Sequence, residues 1–172
     1  MRAGLVVTVA VLVLAGSGQA APSPPPAATP PVCGETTPPP AGQRTMTVGG
    51  LPVQVELART EVGDPGLSGR PCLAPGTGML FVADDPLPQG FWMKGMRFCL
   101  DLIWIDGGRI VGTTEHVCPE PPGTPEERLP LYFPPQPVRY VLEVPAGWLA
   151  EHGFGPGTPV TLPVDLATPT TG

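Results

Sequence analysis

The chain has 172 residues, which is enough for one ordinary domain and too few for two well-developed ones. Its 23 glycines and 28 prolines are typical of disorder, yet 41% of its residues are hydrophobic, close to the globular norm. The chain has only 9 Lys and Arg against 15 Asp and Glu, which argues against a nucleic-acid-binding surface.

The first twenty residues have the three-part layout of a secretory signal. Arg2 gives a positive start, Leu5 to Ala15 is an apolar run of 11 residues, and small residues precede a predicted cut after Ala20. A membrane-spanning helix needs about 20 apolar residues, so cleavage is favoured over a membrane anchor. We therefore expect an exported protein, secreted or associated with the cell envelope, with no membrane span after cleavage.

Residues 21–43 hold nine prolines among alanine and threonine, a composition typical of an extended, polyproline-like tether. Residues 167–172 have a similar character and are predicted to form a flexible tail. The ordered domain is therefore predicted over residues 44–166.

Short apolar or alternating segments within this domain predict strands. A Gly49-Gly50 turn between residues 45–48 and 53–58 predicts the first hairpin, and the Asp106-Gly107-Gly108 turn predicts the clearest one. Strands are predicted at 45–48, 53–58, 79–83, 100–105, 109–117, 138–144 and 159–164, with a short helix at 146–152 and a proline-rich surface loop at 119–137. We therefore predict a mainly β fold, a single antiparallel β-barrel or sandwich-like domain with one or two short helices.

Export makes the four cysteines candidates for disulfide bonds. A two-residue turn in the 100–117 hairpin places Cys99 diagonal to Cys118, about 7–8 Å apart and slightly beyond disulfide reach. One bulge or a slightly longer turn would close this gap. We therefore predict a Cys99–Cys118 bridge, which leaves Cys33–Cys72 as the second one.

A zinc site is the alternative use of the same residues, because Cys99, His116 and Cys118 could supply three ligands. Their spacing lacks the closely paired cysteines of a structural zinc site. In an oxidising compartment the disulfide is favoured, so we predict no metal and no cofactor.

Several short motifs follow one another in a distinctive order between residues 53 and 160. The segments 78–82 (GMLFV) and 91–94 (FWMK) stand roughly ten residues apart, and Leu100-Asp101, Ile105-Asp106 and Val141-Leu142-Glu143 follow. In this order they resemble the bacterial and archaeal family called domain of unknown function 192. The resemblance implies a small, mainly β domain, often exported, with no established reaction and no cofactor.

The chain departs from the family pattern at three places. Gly95-Met96 stands where the family usually has Asn-Thr, Cys99 stands where it usually has Pro, and Gly157-Thr158 replaces a late Gly-Asp pair. These changes put in doubt any function that depends on the Asn or Thr side chains. The change from Pro to Cys fits a disulfide peculiar to this exported version.

The candidate ligand-binding residues lie in the family-like segments: Arg70, Trp92, Met93, Lys94 and Asp101. Asp101 interrupts an apolar strand, where an unpaired carboxylate would be costly to bury. A buried ion pair of Asp101 with Arg70 or Lys94 is the favoured interpretation. The alternative is a polar cleft in which Arg70 and Lys94 hold an anionic ligand and Asp101 orients them. Trp92 and Met93 could line a groove, although core packing is favoured for both.

Motifs of hydrolytic enzymes are absent from the sequence. Gly66-Leu67-Ser68-Gly69-Arg70 misses the G-x-S-x-G elbow, because Arg70 stands where glycine is needed. The acids that could pair for glycoside cleavage are scattered and form no motif; they are Asp84, Asp85, Glu115 and Glu143.

We therefore expect an exported, non-catalytic binding or accessory protein at or outside the cell envelope. Its partner would be an unidentified small ligand or envelope component, with no nucleic acid, and the protein would be a monomer. The first alternative is an envelope hydrolase that acts on a wall polymer through an Asp101, Arg70 and Lys94 cleft. The second is an interaction protein that docks a partner through the loop at 119–137.

Overall fold

The computed structural model describes residues 33, 42–59 and 65–167. The predicted signal segment at 1–20 lies outside the described residues. So do the predicted tether, apart from residues 33, 42 and 43, and residues 168–172 of the predicted tail.

Seven strands form one sheet, which confirms the prediction of a mainly β fold. In chain order they are β1 (Arg44–Val48), β2 (Leu51–Arg59), β3 (Thr77–Leu87), β4 (Leu100–Asp106), β5 (Arg109–Val117), β6 (Val138–Pro145) and β7 (Val160–Thr161). Two short helices, α1 (Trp148–His152) and α2 (Val164–Ala167), and a 3-10 turn at Glu126–Arg128 complete the described elements. Neither these helices nor any other described segment is a helix long and apolar enough to span a bilayer.

The sheet has the order β5-β4-β6-β3-β2-β1-β7 and curls into a half-barrel. β7 pairs with β1, and the backbone before it also bonds to the start of β5. The Ile110 N–H donates to the Thr158 carbonyl at 2.9 Å, and the Val160 N–H donates to the Gly108 carbonyl at 2.8 Å. Only Val160 and Thr161 of the predicted 159–164 strand are extended in the ladder, because Pro159 and Pro163 have no N–H to donate.

One pair of neighbouring strands is parallel, in contrast to the antiparallel pairing expected from the sequence. β2 and β3 run in the same direction, from Gln54 opposite Thr77 to Arg59 opposite Val82. Parallel neighbours need a long connection that returns the chain to the starting end of the first strand. Residues 60–76 are this connection, and local sequence does not distinguish such a return from a simple reversal.

The sheet is buried on both faces, so the domain has two apolar cores. The first core lies on the face covered by α1, and includes Val55, Leu80, Ile103, Leu142 and Trp148. The second core lies on the opposite face, under the segments around Leu67 and Met93, and includes Met79, Phe81, Leu102, Trp104 and Val141. Burial on both faces explains why β4 reads as an almost continuous apolar run.

The β4–β5 hairpin confirms the predicted Cys99–Cys118 disulfide. The turn places Asp106 opposite Arg109, and two register shifts follow along the ladder. These shifts bring Leu100 opposite Val117, so that the cysteines next to them also face each other. The second predicted bridge, Cys33–Cys72, is formed as well.

Asp101 is buried in β4, with 1% of its surface exposed. Its Oδ1 accepts a hydrogen bond from the His116 N–H at 2.8 Å, and its Oδ2 accepts bonds from the Gly147 and Leu149 N–H groups, each at 3.0 Å. The predicted ion pair with Arg70 or Lys94 is therefore wrong. Its partners are backbone N–H groups at the irregular end of β5 and at the start of α1, which otherwise have no partner in a helix or ladder.

We expect Asp101→Asn to lower the free energy of unfolding by about 2–4 kcal/mol. An amide nitrogen cannot accept a hydrogen bond, so at least one buried backbone N–H would lose its partner. Urea unfolding of the disulfide-intact protein measures this loss. Asp106→Asn, at the hairpin turn, is the matched control and should change stability by less than about 0.5 kcal/mol. Equal losses in the two variants would contradict the role given to Asp101.

Candidate functional site

A cleft of about 130 Å³ opens on the face of the sheet that carries the second core. We call it the Glu143 cleft, after the β6 residue that lines it. The polar residues of its lining are Arg59, Ser68, Gln89, Lys94 and Glu143. The large apolar side chains of its lining are Leu67, Phe81, Phe91, Trp92 and Met96.

Glu143 reaches the cleft because side chains alternate along β6. Leu142 and Val144 point into the first core, so Glu143 points to the opposite face. Its neighbours across the ladder are apolar, Met79 on β3 and Leu102 on β4. The carboxyl group therefore projects from the middle of the sheet among side chains that cannot bond to it.

The Glu143 carboxyl is nearly enclosed, with 6% of the residue exposed. Burial raises its pKa from the ordinary value of 4.5 to about 8, and no charge or hydrogen bond from the described residues lowers it. At neutral pH the group is therefore a neutral carboxylic acid. A buried acid of this kind that lines a cleft is typical of functional sites.

The rim of the cleft carries two cations, each with a carboxylate partner. Lys94 pairs with Glu126 of the 3-10 turn, and its Nζ also lies 5.0 Å from the centre of the Trp92 ring. Arg59 pairs with Asp84 at 3.0 Å. All four charged side chains are well exposed, so these ion pairs contribute little to stability.

The wall at residues 89–96 is held in place from two sides. Phe91 exchanges backbone hydrogen bonds of 2.8 Å with Tyr132, which ties the wall to the proline-rich loop at 119–137. On the other side, the Gly69 N–H donates to the Gly95 carbonyl at 2.9 Å. Gly95 has a φ of +70°, and a Cβ there would stand 2.3 Å from the Ser68 Oγ, so this close approach requires glycine.

The sequence-predicted site residues lie in four different places. Trp92 and Lys94 line the Glu143 cleft, and Trp92 is 44% exposed. Met93 is buried in the second core. Arg70 forms two hydrogen bonds to Glu56 of β2, and Asp101 points to the first-core face, away from the cleft. The structure thus does not bring Arg70, Lys94 and Asp101 together.

In the sequence Glu143 is one of four scattered acids that form no motif, although it is the most distinctive side chain of the cleft. A signal for it was present. In the segment VRYVLEV the glutamate stands between apolar residues, in a strand whose two faces are both needed for core packing. An acid at such a position is buried, and it requires a partner or a neutral state.

A larger groove of about 800 Å³ lies beside the two disulfides and is also lined by His116, His152 and Trp148. Ligand atoms of Cys99, His116 and Cys118 lie within 4.8 Å of one another. The two sulfur atoms are bonded to each other, as predicted, and this bond replaces the alternative of a zinc site.

The chain belongs to the DUF192 family, described as "Uncharacterized ACR", whose family model matches residues 44–162. This match confirms the resemblance found in the sequence. No curated protein matches the chain.

Two solved structures are similar to this chain. One is a "putative transcription regulator" from Sinorhizobium meliloti 1021, with 28% sequence identity and a TM-score of 0.60, covering 69% of this chain and 92% of that one. The other is a protein of unknown function from Novosphingobium aromaticivorans DSM 12444, with 28% identity and a TM-score of 0.63, covering 79% of this chain and 94% of that one.

The raised pKa of Glu143 predicts that stability falls as pH rises from about 4.5 to about 8. In this window the unfolded chain has released the Glu143 proton and the folded chain still holds it, so the folded state binds more protons. The free energy of unfolding should fall by at most about 1.4 kcal/mol per pH unit. Urea unfolding across this window measures the slope.

Glu143→Gln should remove this part of the slope, since the amide does not titrate. Glu127→Gln is the control, because Glu127 is exposed on the 3-10 turn. Wild-type and Glu143→Gln stability profiles that run parallel over the whole window would refute the buried neutral state of Glu143.

Proposed function

We propose that this chain is an exported accessory protein that binds a small polar ligand in the Glu143 cleft, at or outside the cell envelope, without chemical conversion. The observation that carries the proposal is the nearly enclosed Glu143 carboxyl in the lining of an open cleft whose walls include aromatic side chains. A concave site with a few convergent polar groups and a perturbed acid is the usual form of a small-molecule site.

Two disulfides support the exported location, because such bonds persist in oxidising compartments and are rare in the cytosol. The predicted signal segment at residues 1–20 supports the same location independently. Together they favour a ligand that is found outside the cytosol.

The exposed surface beside the cleft supports binding. Trp92 leaves 44% of its surface open, and Leu131 and Phe133 are more than half exposed. Large apolar side chains that stay in solvent close to a cleft are typical of ligand or partner surfaces. Trp92 can therefore serve as one wall for a ligand whose polar end reaches Glu143.

A hydrolase is the second candidate function. Its catalytic acid would be Glu143 rather than Asp101. Asp101 has both oxygens engaged by backbone N–H groups on the other face of the sheet, whereas Glu143 is a protonated acid beside open space. Hydrolysis of a glycosidic bond also needs a second carboxylate close by. Within the described lining of the cleft, Glu143 is the single carboxyl group.

Binding can be tested by nuclear magnetic resonance with a set of small polar molecules at millimolar concentration. We expect at least one compound to shift the backbone signals of Ser68 and Met96, which line the cleft, and to leave the Trp148 indole signal unchanged. Trp92→Ala should lower the affinity for that compound by about tenfold or more. Leu57→Ala, at an exposed apolar residue outside the lining, should leave its binding unchanged. No shifted lining signals, or equal losses in both variants, would overturn the proposal.

Hydrolysis is tested separately, with purified peptidoglycan as the substrate. Soluble reducing ends that accumulate with the wild-type protein, but not with Glu143→Gln, would establish the hydrolase in place of the binding protein.

A further inference from the structure

We infer that the ligand of the Glu143 cleft is a small zwitterion, whose ammonium group binds the Glu143 carboxylate and whose carboxylate binds Lys94 and Arg59 at the rim. This inference rests on the proposed function and adds the chemical class of the ligand. It is carried by a buried acid that has no hydrogen-bond partner among the described residues and by two exposed cations that line the same cleft.

The surroundings of Glu143 indicate that the ligand has an ammonium group. The residue is more than nine-tenths buried, and no described residue donates a hydrogen bond to its carboxyl group. A buried carboxyl without a partner is costly, and a bound cation supplies the missing charge. Phe81, Phe91 and Trp92 line the same space, and the faces of aromatic rings also attract ammonium groups.

The two cations at the rim indicate that the ligand also has a carboxylate. Lys94 and Arg59 both line the cleft, and their present partners Glu126 and Asp84 have side chains 55% and 81% exposed. Exposed ion pairs of this kind contribute little free energy, so a ligand carboxylate can displace or join them. A ligand with only a cationic group would meet repulsion from these two residues.

The size of the cleft limits the zwitterion to the scale of an amino acid. Its volume is about 130 Å³. An apolar cavity of about 150 Å³ accommodates benzene, which has six non-hydrogen atoms. A molecule such as alanine, with the same number of non-hydrogen atoms, therefore matches the available space.

Proton release distinguishes this ligand from other classes. When the ammonium group binds, the O–H bond of the Glu143 carboxyl breaks, its proton passes to the buffer, and the carboxylate pairs with the ammonium group. A neutral sugar or a simple anion binds without this release. The affinity for a zwitterion must therefore rise with pH below the pKa of Glu143, which is about 8.

The experiment measures the affinity of the full, disulfide-intact chain for alanine, propionate and ethylamine by nuclear magnetic resonance between about pH 6 and 8. We expect alanine to bind about tenfold more tightly than propionate, which lacks the ammonium group, and than ethylamine, which lacks the carboxylate. The alanine affinity should rise by up to about tenfold per pH unit in the wild type. It should be weak and independent of pH in Glu143→Gln.

The rim is tested with Lys94→Ala and Arg59→Ala. Each substitution should weaken the binding of alanine and leave the binding of ethylamine unchanged. Arg44→Ala is the matched control, since Arg44 pairs with Asp165 at another part of the surface. If propionate binds to the wild-type lining at least as tightly as alanine, and the affinity does not depend on pH, the zwitterion is excluded and the proposed function still stands. If no compound shifts the lining signals, both fail.

Discussion

The Asp101 carboxylate joins three parts of the chain that are distant in sequence, namely β4, the end of β5 and the start of α1. Its bond to the His116 N–H stabilises a residue with a φ of 53°, at the point where the β4–β5 register shifts. Together with the earlier shift between Trp104 and Ile105, this shift brings Cys99 opposite Cys118. The carboxylate and the disulfide therefore stabilise the same end of the hairpin, and the docking of α1 closes the first core beside them.

Asp101 and Glu143 show that the face on which a buried acid lies determines whether it finds hydrogen-bond partners. β4 and β6 are adjacent central strands, and each carries one acid with almost no exposed surface. Asp101 points to the face where backbone N–H groups surround it, so it stays satisfied within the fold. Glu143 points to the face where Met79 and Leu102 are its neighbours, so it stays neutral and turns to the cleft. Only the second arrangement leaves binding capacity for a ligand.

Much of the fold could be predicted from the sequence, because hairpins and turns depend on local residues. The glycine turn after Asp106 and the alternation in β2 predict their strands, and the register predicted for the hairpin lies two single-residue shifts from the one that pairs Cys99 with Cys118. The parallel β2–β3 pair could not be predicted, because it depends on where residues 60–76 return. The partners of Asp101 could not be predicted either, since Leu149 is 48 residues away and donates through its backbone.

The cleft combines residues that the sequence predicted with residues that only the fold brings there. Trp92 and Lys94 belong to one short segment and were found through it, whereas Glu143 comes from β6 and Ser68 from the β2–β3 connection. One of the three departures from the family pattern, Gly95-Met96, lies in this wall. Gly95 lets the Ser68 hydroxyl approach the backbone, and Met96 adds an apolar side chain to the lining.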